Sequence, residues 1–181
     1  MNEATLSLYL MNFALIGALP LVFFKRGRFN LLWCLTSAPY VVCAAFLIVS
    51  YLAGYETQWS AVSGIAAVPF SAASIALICL TIGTHRVSLA LWHQRDDAPR
   101  QIVTYGPYRK IRHPFYAAFL MALFGAFLFR PQPVTLATFA YAFFVLNVTA
   151  RREEKRLIES EFGAQYRRYM QQTGRFWPKF Q

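Results

Sequence analysis

The chain has 181 residues, enough for one domain, and is 57% hydrophobic with only 14% charged residues. That balance is oily for a soluble protein of this size. A net charge of +10 would suit nucleic acid, but the cations gather between apolar runs. Membrane topology accounts for them better, so the partner indicated is the lipid bilayer and no nucleic acid.

Ala4 to Phe24 is an apolar run with the roughly 20 residues that a membrane crossing takes. It lacks a basic leader and is followed by Lys25, Arg26 and Arg28, so no cleavable signal peptide is expected. Leu31 to Ala53 reads as a second span, with Pro39 tolerated as a kink. Gly54 to Ser60 is a short loop with Glu56 and an interfacial Trp59. Ala61 to Thr84 is a third span whose Gly64, Ala66, Ala67 and Ser71 to Ser74 let neighbouring helices come close. His85 to His113 is polar and basic. Pro114 to Phe129 and Val134 to Ala150 are the fourth and fifth spans, joined in a tight hairpin by Arg130-Pro131-Gln132-Pro133. From Arg151 a charged helix follows, then a tail ending in aromatics.

Cys34, Cys43 and Cys79 lie in apolar runs without CxxC spacing, so they read as small packing residues. Neither a disulfide framework nor a metal site is expected. The fold predicted is all-α: a polytopic membrane protein with about five transmembrane helices and a cytoplasmic carboxy-terminal helix completing a cofactor pocket. Residues 1–84 would form a three-helix membrane region and 85–181 the working core. Placing the amino terminus outside puts every one of the 18 cations except Arg130 on the cytoplasmic side, together with the carboxy terminus.

The polar stretch Arg100 to Tyr116 meets the apolar phase at Pro114. Gly106-Pro107 is a turn signal. Pro114 suits the first turn of a helix, where its missing N–H costs nothing. On charge alone the segment reads as a basic loop that fixes topology. Past the fifth span, Arg151 to Met170 has acidic and basic residues at helical spacing. Leu157, Ile158, Phe162, Tyr166 and Tyr169 would face the membrane, and Gly163 marks a break. Taken alone, it reads as a solvated amphipathic helix at the interface.

Gly106-Pro107-Tyr108 followed by Arg112-His113-Pro114-Phe115-Tyr116 resembles the signature of the isoprenylcysteine carboxyl methyltransferase family and its phospholipid methyltransferase relatives. Glu153-Glu154, Leu157, Phe162-Gly163, Tyr166 and Tyr169 resemble its second half. The likeness covers about residues 93–178. Ala118 stands where the family often has Gly, and Asn147 to Ala150 stand where it has a substrate-binding Arg. The resemblance implies an integral membrane methyltransferase that uses S-adenosyl-L-methionine at the cytoplasmic face. It implies cofactor contacts from Arg100, Gln101, Ile102 and Val103, from Tyr108, from His113, Pro114, Phe115 and Tyr116, from Glu153, and more loosely from His93. It implies catalytic roles for Glu153, Glu154 and the neighbouring Arg151.

The residue types suit that chemistry. Aromatic rings and carboxylates are natural partners of a sulfonium cation, and Tyr108, Tyr116 and the Glu153/Glu154 pair supply them. His113 can hydrogen-bond a carboxylate or ribose, or simply anchor the helix end at the interface. A carboxylate acceptor needs no general base, whereas an amine does, and Glu153 or Glu154 would provide it. The acceptor indicated is lipid-like or prenylated, a small molecule or peptide, with carboxyl methylation of an isoprenylcysteine-type substrate first and phospholipid amine methylation as the alternative. A membrane reductase of the sterol-reductase type with NADPH, and a non-catalytic membrane subunit, are the other readings. Adjacent helical residues point about 100° apart, so one glutamate faces the pocket. Glu153, nearer the span, is expected inward, with Glu154 in solvent or paired with a cation such as Arg156.

Overall fold

The computed structural model describes residues 3–23, 31–55, 60–84 and 102–179. Three apolar helices, α1 (Glu3–Phe23), α2 (Leu31–Leu52) and α3 (Ser60–Thr84), precede a 3-10 turn at Gly106–Arg109. Then come α4 (Pro114–Phe129), α5 (Pro133–Glu159) and α6 (Gly163–Gln172). Cys34–Leu52, Gly64–Thr84 and Pro133–Glu159 are long and apolar enough to cross a membrane, and α1 and α4 are shorter apolar helices. The chain is an all-α polytopic membrane protein. Pro39 and Pro69 sit inside α2 and α3, as membrane helices permit when neighbours satisfy the freed carbonyls.

α4 is the centre. It packs on α1, α2, α3 and α5, and of its residues only Met121, Phe124, Phe127 and Leu128 escape full burial. At 16 residues it is about 24 Å long, short of a hydrocarbon core of about 30 Å. Its neighbours, rather than lipid, cover it, which is why it is apolar on every side. Polar side chains tie α1 to α3. Asn12 Nδ2 donates to Ser71 Oγ at 3.0 Å, Ser74 Oγ donates to Asn12 Oδ1 at 3.3 Å, and Tyr9 donates to the Ala67 carbonyl at 2.6 Å. In an apolar medium such bonds hold helices where lipid offers no competing partner.

The α4–α5 hairpin turns where the sequence indicates. Gln132 N donates to Thr135 Oγ1, and Thr135 Oγ1 donates to the Arg130 carbonyl at 2.6 Å. Beyond it the structure departs from expectation. The charged segment does not start a helix of its own at Arg151, because α5 runs unbroken from the apolar part through the acidic pair to Glu159. Its buried residues Thr138, Ala142, Leu146, Thr149, Ala150 and Glu154 form one stripe at spacings of three and four. The stripe keeps its phase across the end of the apolar run, so α5 continues as a packed helix instead of fraying into solvent. Ser160 Oγ, donating to the Leu157 carbonyl, helps end it. Tyr166 and Tyr169 are buried within the protein instead of lying on a membrane surface, and Tyr169 donates to the Tyr108 carbonyl at 2.6 Å.

Candidate active site

The 3-10 turn and the start of α4 form one wall. Gly106 has φ of +60°, and a Cβ there would run into the Thr84 side chain at the end of α3. Only glycine gives both the left-handed backbone and the close approach. Pro107 opens the turn that carries Tyr108. Burial, with smaller contributions from Tyr169 and the Glu153 charge, raises the Tyr108 hydroxyl well above its ordinary range, so it stays a protonated donor.

The second wall is the chain after α6. Ile111 and Gly174 pair in a parallel bridge. Gly174 N donates to the Lys110 carbonyl, Arg112 N to the Gly174 carbonyl, and His113 N to the Arg175 carbonyl at 3.1 Å. A Cβ on Gly174 would meet the Trp177 carbonyl, so glycine is needed for the turn that follows the bridge.

The third wall is the end of α5, and it divides the glutamates. Glu154 is buried, 3% exposed, and its carboxylate accepts from Arg112 Nε at 2.9 Å and from Arg175 Nη2 at 2.5 Å. Arg112 also donates to the Thr173 carbonyl. Burial alone would raise the Glu154 carboxyl, but contacts from His113, Arg175 and Arg112, with the Arg112 charge, outweigh it and hold the group well below the usual carboxylate range. Glu153 keeps 22% of its side chain exposed. It accepts from the Tyr116 hydroxyl at 2.8 Å. The inward, fully enclosed carboxylate is therefore Glu154 and not Glu153, and its cations are Arg112 and Arg175, not Arg156. Helical phase decides this, not nearness to the span: Glu154 continues the stripe Leu146, Ala150, whereas Glu153 sits at its edge.

His113 stands between the two. Its Nδ1 is 3.5 Å from Glu153 Oε2 and its Nε2 is 3.3 Å from Glu154 Oε1. The imidazole stacks parallel on the Tyr116 ring with centroids 5.3 Å apart, and Phe176 meets it edge-on at 6.2 Å. The buried Nε2 makes no hydrogen bond of good geometry among the described residues.

Of the residues singled out in the sequence, the structure brings together Tyr108, His113, Tyr116, Glu153 and Glu154. Pro114 and Phe115 are buried at the start of α4, with Phe115 turned to Phe119 in the bundle. Ile102 and Val103 lie in an irregular, half-buried strand of chain before the turn, and Arg151 is exposed. His93, Arg100 and Gln101 lie outside the described residues. Two site residues were missed. Arg112 was visible as a cation inside the first motif. Arg175 lay in the tail, and no spacing links it to the acidic pair. Its Nη1 donates to Asn147 Oδ1 at 2.8 Å, so a guanidinium from the tail occupies the level of α5 where none stands in sequence.

A family model described as phospholipid methyltransferase matches residues 59–165, more than half of the chain. The match contains Gly106 to Tyr116 and the acidic pair, and stops before Arg175. The chain is 31% identical over 109 residues to the cobalt-zinc-cadmium resistance protein CzcN of Cupriavidus metallidurans, covering 56% of this chain and 50% of that protein. The chain thus spans about half the length of this curated relative.

Proposed function

Because the chain belongs to the phospholipid methyltransferase family, we propose that it is a membrane methyltransferase that uses S-adenosyl-L-methionine and methylates a lipidated or lipid-like acceptor. Residues 85–181 carry the chemistry in this reading, and residues 1–84 support them in the bilayer. The termini and site are assigned as the positive-inside rule suggests, with the site and carboxy terminus cytoplasmic.

The observation that carries the reading is the division of labour between the two carboxylates. Glu154 is saturated by two guanidinium groups, so it is structural. Glu153 is ionisable, partly exposed, and oriented by the Tyr116 hydroxyl, so it is the carboxylate available to a cation. S-adenosyl-L-methionine, when bound, supplies an electrophilic methyl group on a sulfonium. The residues suit such a ligand: one accessible carboxylate, stacked aromatic faces, and a buried imidazole nitrogen without a well-formed hydrogen bond. Glu153, Tyr116 and Tyr108 would offset positive charge, and His113 would contribute a polar contact.

Two acceptor classes fit. An ionised carboxylate is already nucleophilic and asks the protein only for placement and dryness. An amine must first lose a proton, and Glu153 is the base at hand. Carboxyl methylation of an isoprenylcysteine-type acceptor is placed first. Phospholipid amine methylation is the second reading.

Calorimetric titration of the purified protein with S-adenosyl-L-methionine and, separately, NADPH tests the cofactor. Binding of the first alone is expected. Incubation with labelled methyl donor and either prenylated cysteine or phosphatidylethanolamine then tests the acceptor.

A further inference from the structure

His113 is held from three directions by one dipeptide of the tail. Its backbone N–H donates to the Arg175 carbonyl at 3.1 Å. Its ring meets the Phe176 ring edge-on. The carboxylate facing its Nε2, that of Glu154, is gripped by the Arg175 guanidinium. The same guanidinium reaches Asn147, two helical turns away along α5. Backbone, ring and facing charge of His113 therefore all depend on where Arg175 sits.

Charge balance does not require this arginine. Arg112 already pairs with Glu154 at 2.9 Å. A second cation on one enclosed carboxylate adds desolvation cost, and Arg175 remains 27% exposed. What Arg175 adds is a fork. Its Nε lies 3.1 Å from Oε1 and 3.2 Å from Oε2, and its Nη2 lies 2.5 Å from Oε2. A planar two-pronged donor fixes the rotation of a carboxylate, which a single bond from Arg112 leaves free. The oxygen so fixed, Oε1, is the one that faces His113 Nε2.

We infer that Arg175 is a positioning residue: acting through Glu154 and through its own carbonyl, it sets the imidazole of His113 against Tyr116 and Glu153. The geometry stands apart from the proposed activity, but the consequence for cofactor binding rests on the methyltransferase reading.

The test uses the full chain in lipid nanodiscs, with the ring carbon–proton signal of His113 assigned by its loss in His113→Gln. Arg175→Lys keeps the charge and removes the fork. Asn147→Ala keeps Arg175 and removes one of its bonds. Each is compared with the wild type at a temperature where its circular dichroism melt shows it folded. Displacement of the His113 signal is expected in Arg175→Lys and to a smaller extent in Asn147→Ala. Affinity for S-adenosyl-L-methionine should fall about tenfold or more in Arg175→Lys, the scale of a bond to a charged group. The inference stands if a folded variant displaces the His113 signal. It falls if every folded variant leaves that signal in place. Should the wild type bind no S-adenosyl-L-methionine, the methyltransferase reading fails while the displaced signal still decides this one.

Discussion

Arg112 and Arg175, from segments on either side of α4, α5 and α6, close on the same Glu154 carboxylate. Removing that carboxylate strands two guanidinium groups, one of them buried. Glu154→Gln should therefore cost about 3 kcal/mol of stability, the lower end for breaking an enclosed pair because Arg175 is partly solvated. Glu153→Gln should cost about 1 kcal/mol or less, since the amide oxygen still accepts from Tyr116. Methyl transfer should fail in Glu153→Gln while its melt stays near wild type. Thermal melts and transfer rates on both variants check this, and the reverse pattern would exchange the two roles.

The depressed Glu154 carboxyl makes stability depend on pH in one direction. Its folded form titrates below the ordinary 4.5, so the stabilisation is fully present above that value and is lost as pH falls toward the folded one. The melting temperature should decline as acid is added below about pH 4.5, and Glu154→Gln should lack that part of the decline. Melts of both proteins from neutrality down to about pH 3 measure it.

Tyr116→Phe removes a hydroxyl and leaves the ring stacked on His113. The lost bond to the Glu153 carboxylate, 2.8 Å long, should weaken S-adenosyl-L-methionine binding by about ten- to a hundredfold if that carboxylate serves the cofactor. His113→Ala should weaken it on the same scale. Calorimetric titration checks both, and unchanged curves would remove the pair from the site.

Gly106→Ala should destabilise the protein by about 1–2 kcal/mol for its left-handed φ, and by more for the collision with Thr84. The Thr84 hydroxyl is held by the Leu80 carbonyl at 2.7 Å, so it does not simply swing away. Adding Thr84→Ala should recover the collision part and leave the backbone part. Melts of the single and double variants separate the two.

An external amino terminus and a cytoplasmic carboxy terminus are expected from the cation distribution. Single cysteines placed at Glu3 and Gln181, in a background without the native three, report it by labelling from each side. Labelling of both from one side would require an even number of crossings.

The helix ends at Pro114 and Phe129 were legible because a proline at the first turn and an Arg-Pro-Gln-Pro linker are local signals. The first motif was legible for the same reason: glycine, proline and tyrosine build the turn where they stand. The phase of α5 was legible too, in the spacing of Ala142, Leu146, Ala150 and Glu154, whereas nearness to the apolar run points to Glu153. Arg175 was beyond reach. Its contact with α5 depends on the bridge between Ile111 and Gly174, a pairing over 63 residues that no local pattern encodes.

α5 is one rod from Pro133 to Glu159. At 27 residues it is about 40 Å long, and a hydrocarbon layer of about 30 Å covers only part of it. The remainder projects like the short arm of a lever, with Glu153 and Glu154 on it. The ion pairs of Glu154 with Arg112 and Arg175 and the bond from Tyr116 to Glu153 fasten that arm to the wall that carries His113. Packing against neighbours sets the tilt of such a rod, so arm and wall tilt together in the bilayer.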